Sequence, residues 1–308
     1  MADLSNIDEE LLEQIADLHG MPRGAFNIRK DGQLLERHSN ANIEIESFSD
    51  KPGIKISVAP GTKGETVHIP VILTKAGLTD VVYNDFHIGE GADVVIVAGC
   101  GIHNSGDEKS QHDGIHTFYL GKNSHVRYLE KHYGEGDGKG DRVLNPTTNL
   151  YMEPNSTCEM EMVQLRGVTS TIRDTNCTLD AGCKLVLTEK LLTHGSQYAE
   201  SNMNIELNGD DSSVQVISRS VAQDDSFQVF NPLVVGAAAC RGHVQCDAII
   251  MGNAKVKAIP GIECASEDAQ LIHEAAIGKI AGDQIIKLMT LGLTEEEAEA
   301  EILDDFLN

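Results

Sequence analysis

The sequence predicts a mainly β fold: a β-solenoid, built as a right-handed parallel β-helix, with a short helix before it and an αα-hairpin after it. Three observations point there. From about residue 41 to residue 265, apolar residues alternate with polar ones in short runs, the period of strands with one buried face. The turns between runs recur at residues 89, 121, 153, 180, 208 and 252, in steps of 32, 32, 27, 28 and 44 residues, about the size of a solenoid coil. Finally, only 4% of residues are aromatic and there is no tryptophan, so small and β-branched side chains must fill the interior. Such residues suit coils that lie directly on one another. A β-sandwich with irregular strands is the competing fold.

Taken in order, residues 7–19 place Leu11, Leu12, Ile15 and Leu18 at helical spacing, with acidic residues in the first turn and Gly20 as a stop. Asp31-Gly32 offers a tight turn. Period-two runs follow: Ile43, Ile45 and Phe48; Ile54, Ile56 and Val58; Val67, Ile69 and Val71. A strand-turn-strand pattern then repeats from Phe86, Phe118, Leu150, Cys177, Ile205 and Ile249, and the 44-residue step leaves room for two coils around Phe227–Phe230. The segment 100–116 reads as a loop concentrating His103, His112 and His116, followed by His125 and His132, which could hold a divalent ion. Residues 134–141 read as a flexible glycine-rich crossing. Near the end, Asp283 is a candidate N-cap, Gly292 a helix stop, and Thr294-Glu-Glu-Glu297 a capping box opening the last helix. The expected organisation is a helical segment over 1–40, a β-helix core over 41–265 and a helical region over 266–308.

Composition narrows the function. Forty-eight acidic against twenty-four basic residues give a net charge of −24, which repels nucleic acid and anionic lipid and favours basic protein partners. The longest uncharged run, 226–240, is too short and polar to cross a bilayer. Seven cysteines, an odd number, behind an acidic start with no charged-then-apolar leader indicate reduced thiols and a cytoplasmic protein. No phosphate-binding loop is present, so any nucleotide must come with a partner.

The stretch that concentrates metal-binding chemistry runs from Arg241 to Lys279. It holds His243, Cys246, Cys264 and the adjacent pair His273-Glu274; thiolate, imidazole and carboxylate are the side chains that take borderline-soft metals and iron-sulfur clusters. Residues three apart on a strand face opposite ways, so His243 and Cys246 are not expected to share one ion. In the alternative reading Cys246 packs as a small hydrophobe, while His273 and Glu274 open a helix.

Cys246-Asp-Ala-Ile-Ile-Met, Ile259-Pro260, His273-Glu-Ala-Ala-Ile-Gly-Lys-Ile280 and Leu291-Gly-Leu-Thr-Glu-Glu-Glu-Ala298, in this order, resemble the SufB/SufD family of iron-sulfur cluster assembly scaffolds. The resemblance covers most of the chain. It implies a parallel β-helix with helical termini, C-terminal helices that grip a SufC-type ATPase, and a nascent cluster built between two scaffold subunits for apo iron-sulfur recipient proteins. By position Cys246 resembles the SufB-type cysteine, His273 the SufD-type histidine and Glu274 the SufB-type carboxylate. Elements of both types on one chain imply a homodimer. The chain departs from the pattern where Ile285-Ile-Lys-Leu replaces an aromatic-rich segment and Leu291 replaces a common arginine. Cys100, Cys158, Cys177 and Cys183 are all candidates for the family's sulfur-accepting cysteine, and none stands in a matching motif.

The leading expectation is thus a scaffold without catalysis of its own. A β-helix enzyme acting on polysaccharide would need paired carboxylates along a groove and usually aromatic subsites. A structural adaptor would use Cys246 and His273 only for packing.

Overall fold

A computed structural model describes residues 4–307. Helix α1 (Asn6–Ala16) opens with a capping box: the Ser5 hydroxyl accepts the Asp8 N–H at 3.3 Å, and the Asp8 carboxylate accepts the Ser5 N–H at 2.8 Å. It stops short of Gly20 because Asp17 itself takes the left-handed conformation, with φ 52°. Its apolar face, Leu11, Leu12 and Ile15, packs on Phe26, Ile28 and Ile72. Strands β1 (Ala25–Lys30) and β2 (Gln33–His38) form a hairpin through Asp31 and Gly32. Both turn residues have positive φ, the turn whose twist matches paired strands. Strands β3 (Ile43–Ser47) and β4 (Gly53–Val58) form a second antiparallel pair.

From there the chain alternates between two parallel sheets. The first takes β5 (Lys63–Leu73), β7 (Asp93–His103), β9 (His125–Glu135), β12 (Thr157–Arg166), β14 (Lys184–Thr193), β16 (Ser213–Ala222), β18 (Arg241–Ile250) and β21 (Gln270–Gly278). The second takes β6 (Thr79–Ile88), β8 (Ser110–Leu120), β10 (Arg142–Leu144), β11 (Thr147–Met152), β13 (Ser170–Leu179), β15 (Tyr198–Leu207), β17 (Phe227–Gly236), β19 (Lys255–Ala258) and β20 (Gly261–Cys264). The result is a β-solenoid of about eight turns. The β1–β2 hairpin extends the first sheet, and β4 followed by β3 extends the second. Register is strict: Asp93, His125, Thr157, Lys184, Ser213, Arg241 and Gln270 stack one above another.

Each coil has two corners, and left-handed residues mark them. Gly91, Asn123, Asn155, Gly182 and Asp211 turn the chain from the second sheet to the first; Gly195, Asp224 and Gly252 turn it back. The turn at 252 therefore lies at the opposite corner from those at 89–208. The step of 44 residues is one and a half coils, because the intervening corner, Ala237-Ala-Ala-Cys240, has none of the Gly, Asn or Asp residues that announce a turn.

Three local expectations change. Residues 270–278 are a strand, not the start of a helix, so the solenoid runs past residue 265; nine residues of parallel pairing with β18 override the helix propensity of Glu-Ala-Ala. The segment 100–116 is mostly strand: His103 ends β7, and His112 and His116 lie within β8. The glycine-rich crossing is stacked on the loop below it, where Gly138 N–H reaches Asn104 O at 3.1 Å and Gly140 N–H reaches Gly106 O at 2.9 Å.

After β21 the chain forms α2 (Gly282–Thr290) and α3 (Glu295–Leu307). Asp283 sits in the first turn of α2 rather than capping it; the N-cap position is Ala281. Thr294 and Glu297 do form a capping box, at 3.2 and 2.8 Å. The core is aliphatic with one aromatic knot, Phe86 stacked on Phe118 at 4.3 Å with Tyr128 edge-on at 4.9 Å.

Candidate functional site

Strands β18 and β21 carry the candidate ligands, and their register decides where each points. Val244 pairs with His273, Gln245 with Glu274 and Cys246 with Ala275. Cys246 lies between Val244 and Ala248 on the inward face and is 1% exposed. His273, paired with inward-facing Val244, shares that face and is a diagonal neighbour of Cys246. Glu274 and His243 project from the outer face, where His243 Nε2 and Glu274 Oε2 stand 3.5 Å apart. Cys264 is exposed at the end of β20, at the corner leading into β21. Five strand residues, roughly 17 Å at the usual rise, separate Arg241 at that corner from Cys246. A single chain thus divides the five residues into an inner pair, an outer pair and a distant thiol.

Their electrostatics follow from burial. Desolvation pushes the Cys246 thiol up to about 11, with Glu189 and Asp247 adding to the effect, so the closed chain holds it protonated. Burial, with His243 nearby, draws the His273 imidazole below its ordinary value. A neutral ring presents a nitrogen lone pair, and His273 Nε2 is buried without a hydrogen-bond partner. Strand β21 ends the first sheet, so among the described residues its outer edge is unpaired, and it exposes Ile272 and Ile277 on either side of His273-Glu274. An edge of this kind is a template for pairing with another chain.

The alternation pattern gave no hint of what lies behind Cys246. Along the inner face of the first sheet, Glu130, Met162, Glu189, Ser218, Cys246 and Ala275 form one column. From the opposite sheet, Arg173 reaches in with Nη1 at 2.5 Å from Glu130 Oε2 and Nε at 3.8 Å from Glu189 Oε1. Ser218 Oγ donates to Glu189 Oε2 at 3.4 Å. At the other end, the Tyr128 hydroxyl donates to Glu130 Oε1 at 3.0 Å and accepts from His116 Nδ1 at 2.7 Å. Charged groups are rarely buried unless paired, and here each carboxylate meets the one guanidinium. Burial alone would raise both acids. Close contact with Arg173, with help from His132, holds Glu130 well below the usual range, whereas burial prevails at Glu189 and raises it. These residues come from both sheets and several coils, so only the register of the solenoid brings them together.

His103 pairs instead with Glu135, Nδ1 to Oε1 at 3.1 Å, and His125 with the Thr157 hydroxyl at 2.6 Å. Cys100, Cys158, Cys177 and Cys183 are all buried. Among the described residues, no three or more His, Cys, Asp or Glu side chains already stand at metal-binding separation, and no helix is long and apolar enough to cross a membrane.

Residues 72–306 match a family model described as SUF system FeS cluster assembly, SufBD core domain. The chain is 25% identical to an iron-sulfur cluster assembly SufBD family protein of Methanocaldococcus jannaschii, over 95% of this chain and 96% of the relative. It is 27% identical to one from Pyrococcus horikoshii, over 97% and 93%, and 24% identical to one from Archaeoglobus fulgidus, over 89% and 73%.

Proposed function

The chain belongs to the SufBD family of the SUF iron-sulfur cluster assembly system, and on that premise we propose that it is a homodimeric scaffold on which a nascent cluster is built. The cluster is cargo, to be passed to apo recipient proteins, and the chain performs no catalysis of its own. The observation that carries this reading is the placement of Cys246 and His273 on the inward face next to the unpaired edge of the first sheet. A cluster needs about four protein ligands, and one inner pair supplies two. Two-fold pairing along β21, the commonest symmetry of soluble oligomers, would present the set twice and cover Ile272 and Ile277.

Glu274 enters as a carboxylate ligand at the rim of that interface, with His243 as its outer neighbour; Cys264 stands further off and is the weakest member of the set. Cys246 must lose its proton to bind iron, which requires opening of the last coil. A SufC-type ATPase supports that step in this reading: nucleotide-driven movement of partners held on the two C-terminal hairpins would pull at the strands next to α2. The exposed Ile286, Met289 and Leu291 of that hairpin suit such a contact.

The test is anaerobic reconstitution with ferrous iron and sulfide, read by absorbance, iron and sulfide content, and mass in solution. The parent should form a chromophoric dimer, and Cys246→Ser should lose most of the iron and sulfide while keeping its β signal, since a hydroxyl is a far poorer iron ligand than a thiolate. A strictly monomeric protein with full cluster content, or a Cys246→Ser chain that loads like the parent, would overturn the assignment.

A further inference from the structure

A small cavity of about 10 Å³, room for one water-sized particle, lies in the solenoid, where Cys100, His112, Gly114, His116, Glu130 and His132 line it together with apolar neighbours such as Ile69 and Val71. His112 and His116 are 5% and 7% exposed. Each ring is anchored through Nδ1, to Asp80 Oδ2 at 3.2 Å and to the Tyr128 hydroxyl at 2.7 Å. Asp80 also takes Arg29 Nη2 at 3.2 Å, and a carboxylate paired in this way accepts, so His112 Nδ1 is the donor. Tyr128 gives its own proton to Glu130, so its oxygen accepts from His116 Nδ1. In a neutral ring anchored through Nδ1 in this way, Nε2 carries the lone pair.

The two lone pairs converge. A methyl group built on Gly114 would lie 3.3 Å from His112 Nε2 and 3.3 Å from His116 Nε2, so both nitrogens face the space this glycine leaves open. The anchoring contacts use Nδ1 of each ring and leave both Nε2 atoms free of them. Two ring nitrogens beside one small cavity suit a shared cation or a water. An imidazole whose far nitrogen donates to a carboxylate, or to a hydroxyl backed by one, is the arrangement found around bound transition metals.

We propose that this cavity binds one divalent transition-metal ion of borderline softness through His112 Nε2 and His116 Nε2, with the Cys100 sulfur or solvent completing the set. Imidazole nitrogen suits zinc, iron, cobalt and nickel. The two anchored rings are the fixed part of the site, and the third ligand closes on the ion when it enters. His112 and His116 lie on β8, far along the solenoid from β18 and β21, so the site is separate from the Cys246 region and does not rest on its assignment.

The test uses the full chain carrying Cys246→Ser, so that the terminal region contributes no thiolate. It is expressed with added Co²⁺ or Zn²⁺ and gel-filtered in EDTA; bound metal is counted by mass spectrometry and the cobalt form is read by its visible spectrum. The expected result is about one ion per chain, slow to yield to chelator because both histidines are buried. Retention should fall at least tenfold in His112→Gln, in His116→Gln and in Gly114→Ala. The alanine occupies the void while retaining both histidine side chains, its Cβ pressing on the two Nε2 atoms at 3.3 Å, and Gly114 does not have positive φ, so a Cβ is tolerated by the backbone. Circular dichroism checks that each variant is folded. No retained metal in the starting chain, equal metal in folded variants, or a crystal structure of metal-supplemented protein with only a water between the two rings would overturn the proposal.

Discussion

Replacing Arg173 by leucine should cost about 3–5 kcal/mol of stability, the usual penalty for removing one partner of a buried ion pair. Its guanidinium stands 2.5 Å from Glu130 and 3.8 Å from Glu189, and all three side chains are under 10% exposed. At an effective dielectric constant of about 20, these separations correspond to gross attractions of roughly 7 and 4 kcal/mol. Desolvation of the three groups and repulsion between the two acids offset much of that, so the pair is worth less than its Coulomb energy. Loss of the cation alone still leaves Glu130 ionised and unpaired in the interior. The double variant Glu130→Leu/Arg173→Leu should recover most of the loss, because it removes the stranded charge as well. The pH dependence has a definite sign. Glu130 is held below the usual glutamate range, so its contribution is present at neutral pH and is lost as pH falls below about 4.5 toward its folded value. Glu189 is raised, so its contribution is full in acid and is lost as pH rises from about 4.5 through its folded value. Glu130→Gln should therefore flatten the acid limb, and Glu189→Gln should improve relative stability on the neutral side. Urea unfolding followed by circular dichroism at pH 4 and pH 7 measures all of this. A cost below about 1 kcal/mol for Arg173→Leu, or a double variant no better than the single one, would refute the reasoning.

Two further outcomes are expected. With the Cys246 thiol pushed up to about 11, only about one molecule in a thousand is thiolate at pH 8, and the side chain is enclosed. Iodoacetamide should therefore modify exposed Cys264 at least a hundredfold faster, as read by peptide mass spectrometry; comparable rates would mean that β21 opens readily. Deleting the chain from Gly282 onward should leave the β signal of the solenoid intact while abolishing co-purification with a SufC-type ATPase. Coils depend chiefly on their nearest neighbours, and the hairpin is held to the solenoid by contacts such as the hydrogen bond from Arg219 Nη1 to Phe306 O at 3.4 Å. Loss of the β signal would make the hairpin part of the core.

Much of the architecture was legible because it is local. The period of two in Ile43–Ile45, Ile54–Val58 and Val67–Val71 reflects side chains that alternate between faces whatever the neighbouring coil contains. Asn123, Asn155 and Gly182 announce corners because few other residues accept positive φ. Thr294 and Glu297 cap α3 through groups three residues apart. Alternation also separated His243 from Cys246 correctly, since strand geometry alone fixes opposite faces. It could not say which face is inside.

Register between coils decided the rest. Cys246 is enclosed because Ser218 and Ala275 lie on either side of it in the stack, and Glu274 points outward because Gln245 does. Residues 270–278 became a strand because β18 offered nine residues of pairing, a gain that exceeds the helical preference of the segment. Most hidden from the sequence were the groups inside the solenoid. Asp80, His112, Glu130, Arg173 and Glu189 each look like a surface residue along the chain. They meet only because successive coils stack in strict register and the two sheets face each other across a narrow interior. There a charge with a partner is retained, and a glycine at 114 leaves two imidazole nitrogens facing the same small space.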